Sequence, residues 1–421
     1  MNTTMSKFIC SLPWKHLSVM PHGWSSVCCE ANWDSKYALS QNFNDQENGP
    51  VHINDGVNKI VNSESFRKIR RDMLDGEVPE ACLTCHNIEK AGGFSKRNKE
   101  KVIDEKTLNN ITLEDGTIKP DITYLELRLG NFCNLKCRSC NAESSTSWVD
   151  DYYKLKDKIN LPSGYDNLKK EGVDYDWVED PKVYLDLLEN GFKLDELHIS
   201  GGEPFLVDKH SYLLDLLIER DLAKDIYITY ITNGNYKFER IVPILDKLHH
   251  FKEVNLNFSL DDTFKRNDYI RSLSRFETVI NNIKKYTDKY NFTYAIIQTI
   301  HVFNFLYIEQ LHLYLEEKGL YYKDGTGVIS TIRDNYVNYP DYHNVKVIPL
   351  EVRKKKLDSI EGVLEDSFFK RLKSNFYNTE DSNLINEFIN TTQEVDKVRR
   401  EDWKELFPDL VEALKNKSKI I

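Results

Sequence analysis

Cys133, Cys137 and Cys140 stand at C-x3-C-x2-C spacing in the run Leu129-Gly130-Asn131-Phe132-Cys133-Asn134-Leu135-Lys136-Cys137-Arg138-Ser139-Cys140. Three thiolates on so short a loop can hold three corners of a cubane iron–sulfur cluster, which normally takes four thiolates. The fourth iron is then open to a small chelating molecule. A structural zinc loop is the alternative, but zinc needs a fourth ligand nearby and residues 141–148 contain neither Cys nor His. A second patch, Leu197-His198-Ile199-Ser200-Gly201-Gly202-Glu203-Pro204, reads as an apolar strand running into a Gly-Gly-Glu-Pro turn. Two glycines let backbone approach a ligand closely, and Glu203 supplies a charge to meet an ammonium. The remaining cysteines are Cys10, Cys28, Cys29, Cys82 and Cys85, so that none follows Cys140.

The two motifs, in this order and each after a strand, resemble the radical S-adenosylmethionine (SAM) superfamily. The resemblance implies that Cys133, Cys137 and Cys140 hold a [4Fe-4S] cluster whose open iron takes the amino and carboxylate groups of SAM. It implies that Gly201, Gly202, Glu203 and Pro204 bind the methionyl end, and that Ser259 and Asp261 stand where ribose contacts are made. The implied reaction is reductive cleavage of SAM to a 5′-deoxyadenosyl radical, which takes a hydrogen atom from the substrate. Many family members place an aromatic residue before the third cysteine, near the adenine. Here that position is Ser139, and Phe132 is the candidate to replace it. Arg271 is a candidate to meet a carboxylate, with a surface role as the alternative.

A cysteine, a hairpin, a cysteine, a helix and then C-x2-C resembles the twitch and SPASM modules, which hold a second, auxiliary [4Fe-4S] cluster. In the family such modules usually follow the catalytic domain; here the cysteines precede it. Cys10, Cys28, Cys82 and Cys85 are the implied ligands, with Cys28 and Cys29 interchangeable. The same spacing allows a structural zinc site with four cysteine ligands.

These residues need elements to position them. Ile122 to Leu129 alternates in the manner of a strand, and strand–helix units then repeat. Further strands are expected near 196–200, 226–232, 253–260, 293–302 and 327–332, with helices near 144–156, 183–188, 211–219, 241–248, 276–286 and 308–317. Alternating β and α units imply a parallel α/β sheet. The resemblance makes it a partial (β/α)6 TIM-like barrel, with its chemistry at the C-terminal strand ends. The expected domains are an auxiliary module over 1–110, a core over 120–335 and a helical C-terminal extension over 340–421. Within the module, residues 8–30 read as a β-hairpin with Gly23 at its tip, and 65–74 as a helix stopped by Gly76. Residues 32–56 read as a polar loop and 157–181 as an insertion. The apolar stripe over 403–414, broken at Pro408, reads as a packing helix.

The chain has 421 residues, 40% hydrophobic and 29% charged, with a net charge of −10. That balance argues against a general nucleic-acid surface, and no apolar run is long enough to span a membrane. Clustered thiols without a visible secretory signal point to metal binding in a reducing, cytoplasmic setting. A flavodoxin or ferredoxin is the implied electron donor. The expected activity is oxidation, cross-linking or epimerisation of a peptide or protein. Modification of a carbohydrate or nucleotide-sugar is the alternative, and an iron–sulfur regulatory protein the non-enzymatic one.

Overall fold

The computed structural model describes residues 8–31, 51–90, 95–100, 103–161, 165–170, 175–189, 192–321, 330–415 and 417. Eight strands form one sheet: β1 (His16–Val19), β2 (Ser25–Ser26), β3 (Ile122–Leu129), β4 (Phe192–Gly201), β5 (Tyr227–Thr232), β6 (Glu253–Ser259), β7 (Thr293–Ile300) and β8 (Ser330–Tyr336). Their order is β2-β1-β3-β4-β5-β6-β7-β8. β1 pairs parallel with β3, β3 with β4, β6 with β7 and β7 with β8, whereas β2 runs antiparallel to β1. The six strands from β3 onward supply the sheet of the expected α/β partial barrel, and the N-terminal hairpin extends it by two. Parallel strands need a covering layer on each face. Accordingly Leu125, Leu127 and Leu129 are fully buried, and Glu126 on the other face is nearly so.

The chain divides into two compact units, one of 1–130, 173–229 and 247–253, the other of 131–172, 230–246 and 254–421. In the first, the β1–β2 turn closes at Gly23, whose φ of +85° suits glycine. Residues 12–15 form a helical turn rather than part of the alternating hairpin, because Pro13 sits in its first turn, where a missing N–H costs nothing. The helix Glu64–Asp75 buries Phe66, Ile69 and Met73 and ends on Gly76 in the left-handed conformation, as its spacing predicts. Of the expected 32–56 loop, residues 32–50 lie outside the described residues, and 53–55 form a 3-10 turn. The insertion contains a short helix, Tyr165–Lys170, and a 3-10 turn, Asp176–Glu179.

In the second unit, Phe276–Lys289 turns Phe276, Val279, Ile280, Ile283 and Tyr286 inward. Each such side chain contributes about 1.5–3 kcal/mol of burial. The last strand is described over Ser330–Tyr336 and runs past the expected end at 332, while positions 327–329 of the expected strand lie outside the described residues. The C-terminal helices are Leu350–Ser359, Asp366–Phe376, Ile385–Arg399, Trp403–Leu406 and Pro408–Lys415. Pro408 opens the final helix, which explains the break in the apolar stripe. No helix among the described residues is long and apolar enough to cross a membrane.

Candidate cofactor sites

The cysteine loop belongs to the second unit. It runs beside residues 270–272, with Lys136 N–H donating to the Ser272 carbonyl at 3.1 Å and Arg138 N–H to that of Ile270 at 2.8 Å. The Cys133 carbonyl accepts from Ser147 Oγ at 2.8 Å, and the Cys137 carbonyl from Trp148 Nε1 at 2.8 Å. Cys133 Sγ accepts from Leu135 N–H at 3.4 Å and faces Asn233 Nδ2 at 3.8 Å. Such donors leave a sulfur fit to carry negative charge. Burial pushes the Cys140 thiol up to about 12, with the charges of Cys137 and Cys133 adding to the rise. Burial raises Cys137 as well, opposed by Arg271. Burial of this kind favours the protonated thiols, and a bound metal would displace those protons.

Arg271 is not a surface residue. Its Nη1 donates to Asp261 Oδ2 at 3.0 Å, and although burial opposes its charge, Cys137 and Asp261 hold its pKa above the ordinary value. Asp261 is wholly buried; its other oxygen accepts from Thr299 N–H at 2.9 Å. The carboxylate expected at the ribose is thus engaged by Arg271 and the β7 backbone. Ser259 is half-buried at the end of β6, opposite Ile297. Phe132 is 55% exposed beside Cys133, an aromatic face open to a ligand.

The Gly-Gly-Glu-Pro turn lies in the first unit, at the end of β4. Gly201 has a φ of +128°, and a Cβ there would meet Leu129 N at 2.5 Å, so only glycine fits against β3. Gly202 N–H donates to the Gly130 carbonyl at 3.1 Å. Glu203 is fully buried, and its Oε1 accepts from Phe205 N–H at 3.3 Å, capping the turn that Pro204 opens.

The other cysteines meet in the first unit. Cys10, Cys28, Cys82 and Cys85 line one pocket with Phe8, Leu12, Val27, Ala81, Lys96 and Arg97. Burial lifts Cys10 to about 11, and Cys82 rises through burial and the nearby Cys10 and Cys85. Cys29 hydrogen-bonds Cys28 and lies near Glu126 and Lys96 rather than in the pocket wall. Burial opposes the charge on Lys96, but Cys29, Tyr124 and Cys28 hold its pKa up. The lining also holds the Glu30 carboxylate, and Arg97 is paired with Glu89; four thiolates in it would fit a metal cluster. Among the described residues, no three His, Cys, Asp or Glu side chains are grouped as one metal ion would require.

Pattern reading brought out the cysteines and glycines but missed what surrounds them. Lys96 stands in a basic cluster that reads as a solvated face, and Trp148 as a helix face. Arg138 is only 5% exposed and pairs with residues 258 and 263 positions away, a link no local pattern carries.

A mostly parallel α/β sheet, with a three-cysteine loop after one strand and a glycine turn after the next, is the arrangement that the sequence resemblance implies. Residues 127–314 match the family model described as Radical SAM superfamily. That match gives the chain a segment similar to the radical SAM domain, over a little less than half of its length. None of the curated proteins matches the chain. Among solved structures, native anSMEcpe with bound AdoMet is 17% identical with a TM-score of 0.37, over 58% of this chain and 61% of that one. SuiB of Streptococcus suis bound to S-adenosylmethionine is 15% identical with a TM-score of 0.34, over 73% of this chain and 58% of that one. The chain therefore spans about three fifths of the length of these two structures. Likenesses with TM-scores this low leave the family model and the site as the grounds for the assignment.

Proposed function

We propose that the chain is a two-cluster radical SAM enzyme that oxidises, cross-links or epimerises a peptide or protein at an unreactive C–H bond. The observation that carries this reading is the pair of cysteine sites: Cys133, Cys137 and Cys140 on one loop, and Cys10, Cys28, Cys82 and Cys85 around one pocket. When bound, a [4Fe-4S] cluster and SAM supply one-electron cleavage of the sulfonium and hydrogen-atom abstraction from the substrate. Cys133, Cys137 and Cys140 hold the cluster, and the N–H and amide donors at Cys133 stabilise its thiolate. Arg271, held by Asp261, sets a positive charge beside Cys137 and favours the more negative, reduced state of the site. Gly201, Gly202, Glu203 and Pro204 receive the methionyl end of SAM, with Ser259 toward the ribose and Phe132 toward the adenine. In the first unit, four cysteine ligands would saturate an auxiliary cluster, leaving it suited to redox chemistry rather than to ligating substrate. Relatives that carry such a module include enzymes of peptides and proteins and others of small carbohydrates or nucleotides; a peptide or protein is the class proposed. A flavodoxin or ferredoxin is the proposed donor, in a reducing compartment.

The test is metal analysis of a Cys133→Ala/Cys137→Ala/Cys140→Ala variant, purified and reconstituted without oxygen. Retention of about four iron and four sulfide per chain, with SAM cleavage abolished, is expected. Stoichiometric zinc without iron would replace the auxiliary cluster by a structural zinc clip.

A further inference from the structure

The second unit carries a buried charge network that the activity above leaves without a role. Arg138 lies inside the cysteine loop, between Cys137 and Cys140. Its Nη2 donates to Asp396 Oδ1 and to Glu401 Oε2, both at 2.5 Å. Its guanidinium also stacks on Tyr269, 3.6 Å from the ring centre. Asp396 takes two further donors, Tyr269 OH at 2.8 Å and Trp403 N–H at 3.0 Å. The loop thus reaches into the C-terminal extension, at the end of the helix Ile385–Arg399.

That helix reaches back in turn. Arg399 Nε donates to Asp151 Oδ2 at 2.7 Å and its Nη1 to Ser272 Oγ at 2.9 Å. Its guanidinium lies 4.4 Å from the Trp148 ring, the same indole that donates to the Cys137 carbonyl. Lys136, also in the loop, pairs with Asp151 at 3.0 Å. Three cations (Lys136, Arg138, Arg399) thereby face three carboxylates (Asp151, Asp396, Glu401). Buried charges persist only when paired, and removing one strands the others. Beside this network, Thr391, Thr392 and Val395 of the helix line a small cavity together with Cys140.

We infer that Arg138 and the C-terminal helix Ile385–Arg399 form a reciprocal clamp that holds the cysteine loop in its cluster-binding shape. Arg138, Asp396 and Arg399 are positioning residues: none supplies a ligand, Arg138 acts from within the loop and against Ile270, Asp396 through Arg138 and Tyr269, and Arg399 through Trp148 and Ser272 Oγ. Holding three thiolates in fixed geometry sets how tightly iron is kept and what field the cluster experiences, as second-layer partners do in other metal sites. This inference rests on the loop holding a cluster.

The test compares reconstituted Arg138→Gln and Asp396→Asn with the native protein and with Arg353→Gln. Arg353 is an equally buried arginine of the same extension. It bonds the Phe376 carbonyl at 2.8 Å and Thr379 Oγ1 at 2.7 Å and makes no bond to the loop. The readouts are the rate of iron release from the loop to a chelator and the electron paramagnetic resonance spectrum of the reduced cluster. The Cys82→Ala/Cys85→Ala background isolates the loop's iron. Release about tenfold faster in both clamp variants, with an altered spectrum, is expected. Arg353→Gln should lower the melting temperature yet leave both readouts native. Native readouts in Asp396→Asn, or equal changes in Arg353→Gln, would overturn the clamp alone. A native loop without iron would overturn the proposed function and the clamp together.

Discussion

The cysteines of the second unit lie within one short loop, whereas those of the first come from three segments spread between Cys10 and Cys85. The loop cysteines owe their proximity to spacing along the chain, and the remaining fold only fixes the loop's shape. The other four owe theirs to the hairpin, the helix Glu64–Asp75 and the turn Glu80–Cys82 packing correctly. Charge follows the same division. Around the loop, the cations are tied to carboxylates far away in sequence. In the first unit, Lys96 and Arg97 line the thiol pocket and pair with the nearby Glu100 and Glu89. When distant packing changes, a site made by spacing keeps its ligands together and loses only their fixed shape; a site made by packing loses the ligand set itself.

The sharpest way to break this comparison is to remove the second set of thiols. In Cys82→Ala/Cys85→Ala, 5′-deoxyadenosine should still form, while product falls more than about a hundredfold, as when a redox partner is lost. Product formation at the native rate, measured by mass spectrometry alongside 5′-deoxyadenosine, would reduce the first-unit site to scaffolding. A smaller effect is expected for Lys96→Met, which keeps the bulk and removes the charge. Iron at the first-unit site should be released about tenfold faster, with the loop's iron unaffected. Equal loss from both sites would show that the two are not independent.

The smallest effect concerns acid, which should not distinguish the units. Burial lowers His16 and His210 in the first unit, and His301 in the second, to about 4. Each is neutral when folded, so below pH 6.5 the unfolded chain binds the extra proton first. The stability they confer is present above that pH and is lost as pH falls toward 4. Each contributes a slope of up to about 1.4 kcal/mol per pH unit. Urea midpoints at pH 7 and pH 5 should show a smaller drop for His210→Gln than for the native chain. An unchanged drop would mean that His210 takes up its proton equally in the folded and unfolded chain.

How much of this was legible follows from how each feature is encoded. The strand Ile122–Leu129 was read at its observed ends, because its alternation is local and uninterrupted. Gly201 was read as a close approach to a ligand, whereas the atom that a side chain there would meet, Leu129 N, belongs to the paired strand. Asp261 was placed correctly at a strand end, but the sequence does not reveal that Arg271 and Thr299 occupy its carboxylate. The ties of Arg138 to Asp396 and Glu401 were invisible, since charged residues in a polar loop and on a charged helix read as solvated. Pairing across such distances is decided by tertiary packing alone. The strand His16–Val19 was legible as half of a hairpin, whereas its parallel partner β3 was not.

That parallel pairing has a consequence for synthesis. His16 pairs with Tyr124, about 110 positions further along. A ribosome adding about 5–20 residues per second needs roughly 5–20 s to cover that distance. The first strand therefore spends that interval without its partner edge, and Cys10 and Cys28 wait between about half and two thirds as long for Cys82 and Cys85. Metal loading of the first-unit site is in this sense a late event in the birth of the chain, and the nascent thiols must stay reduced until it happens.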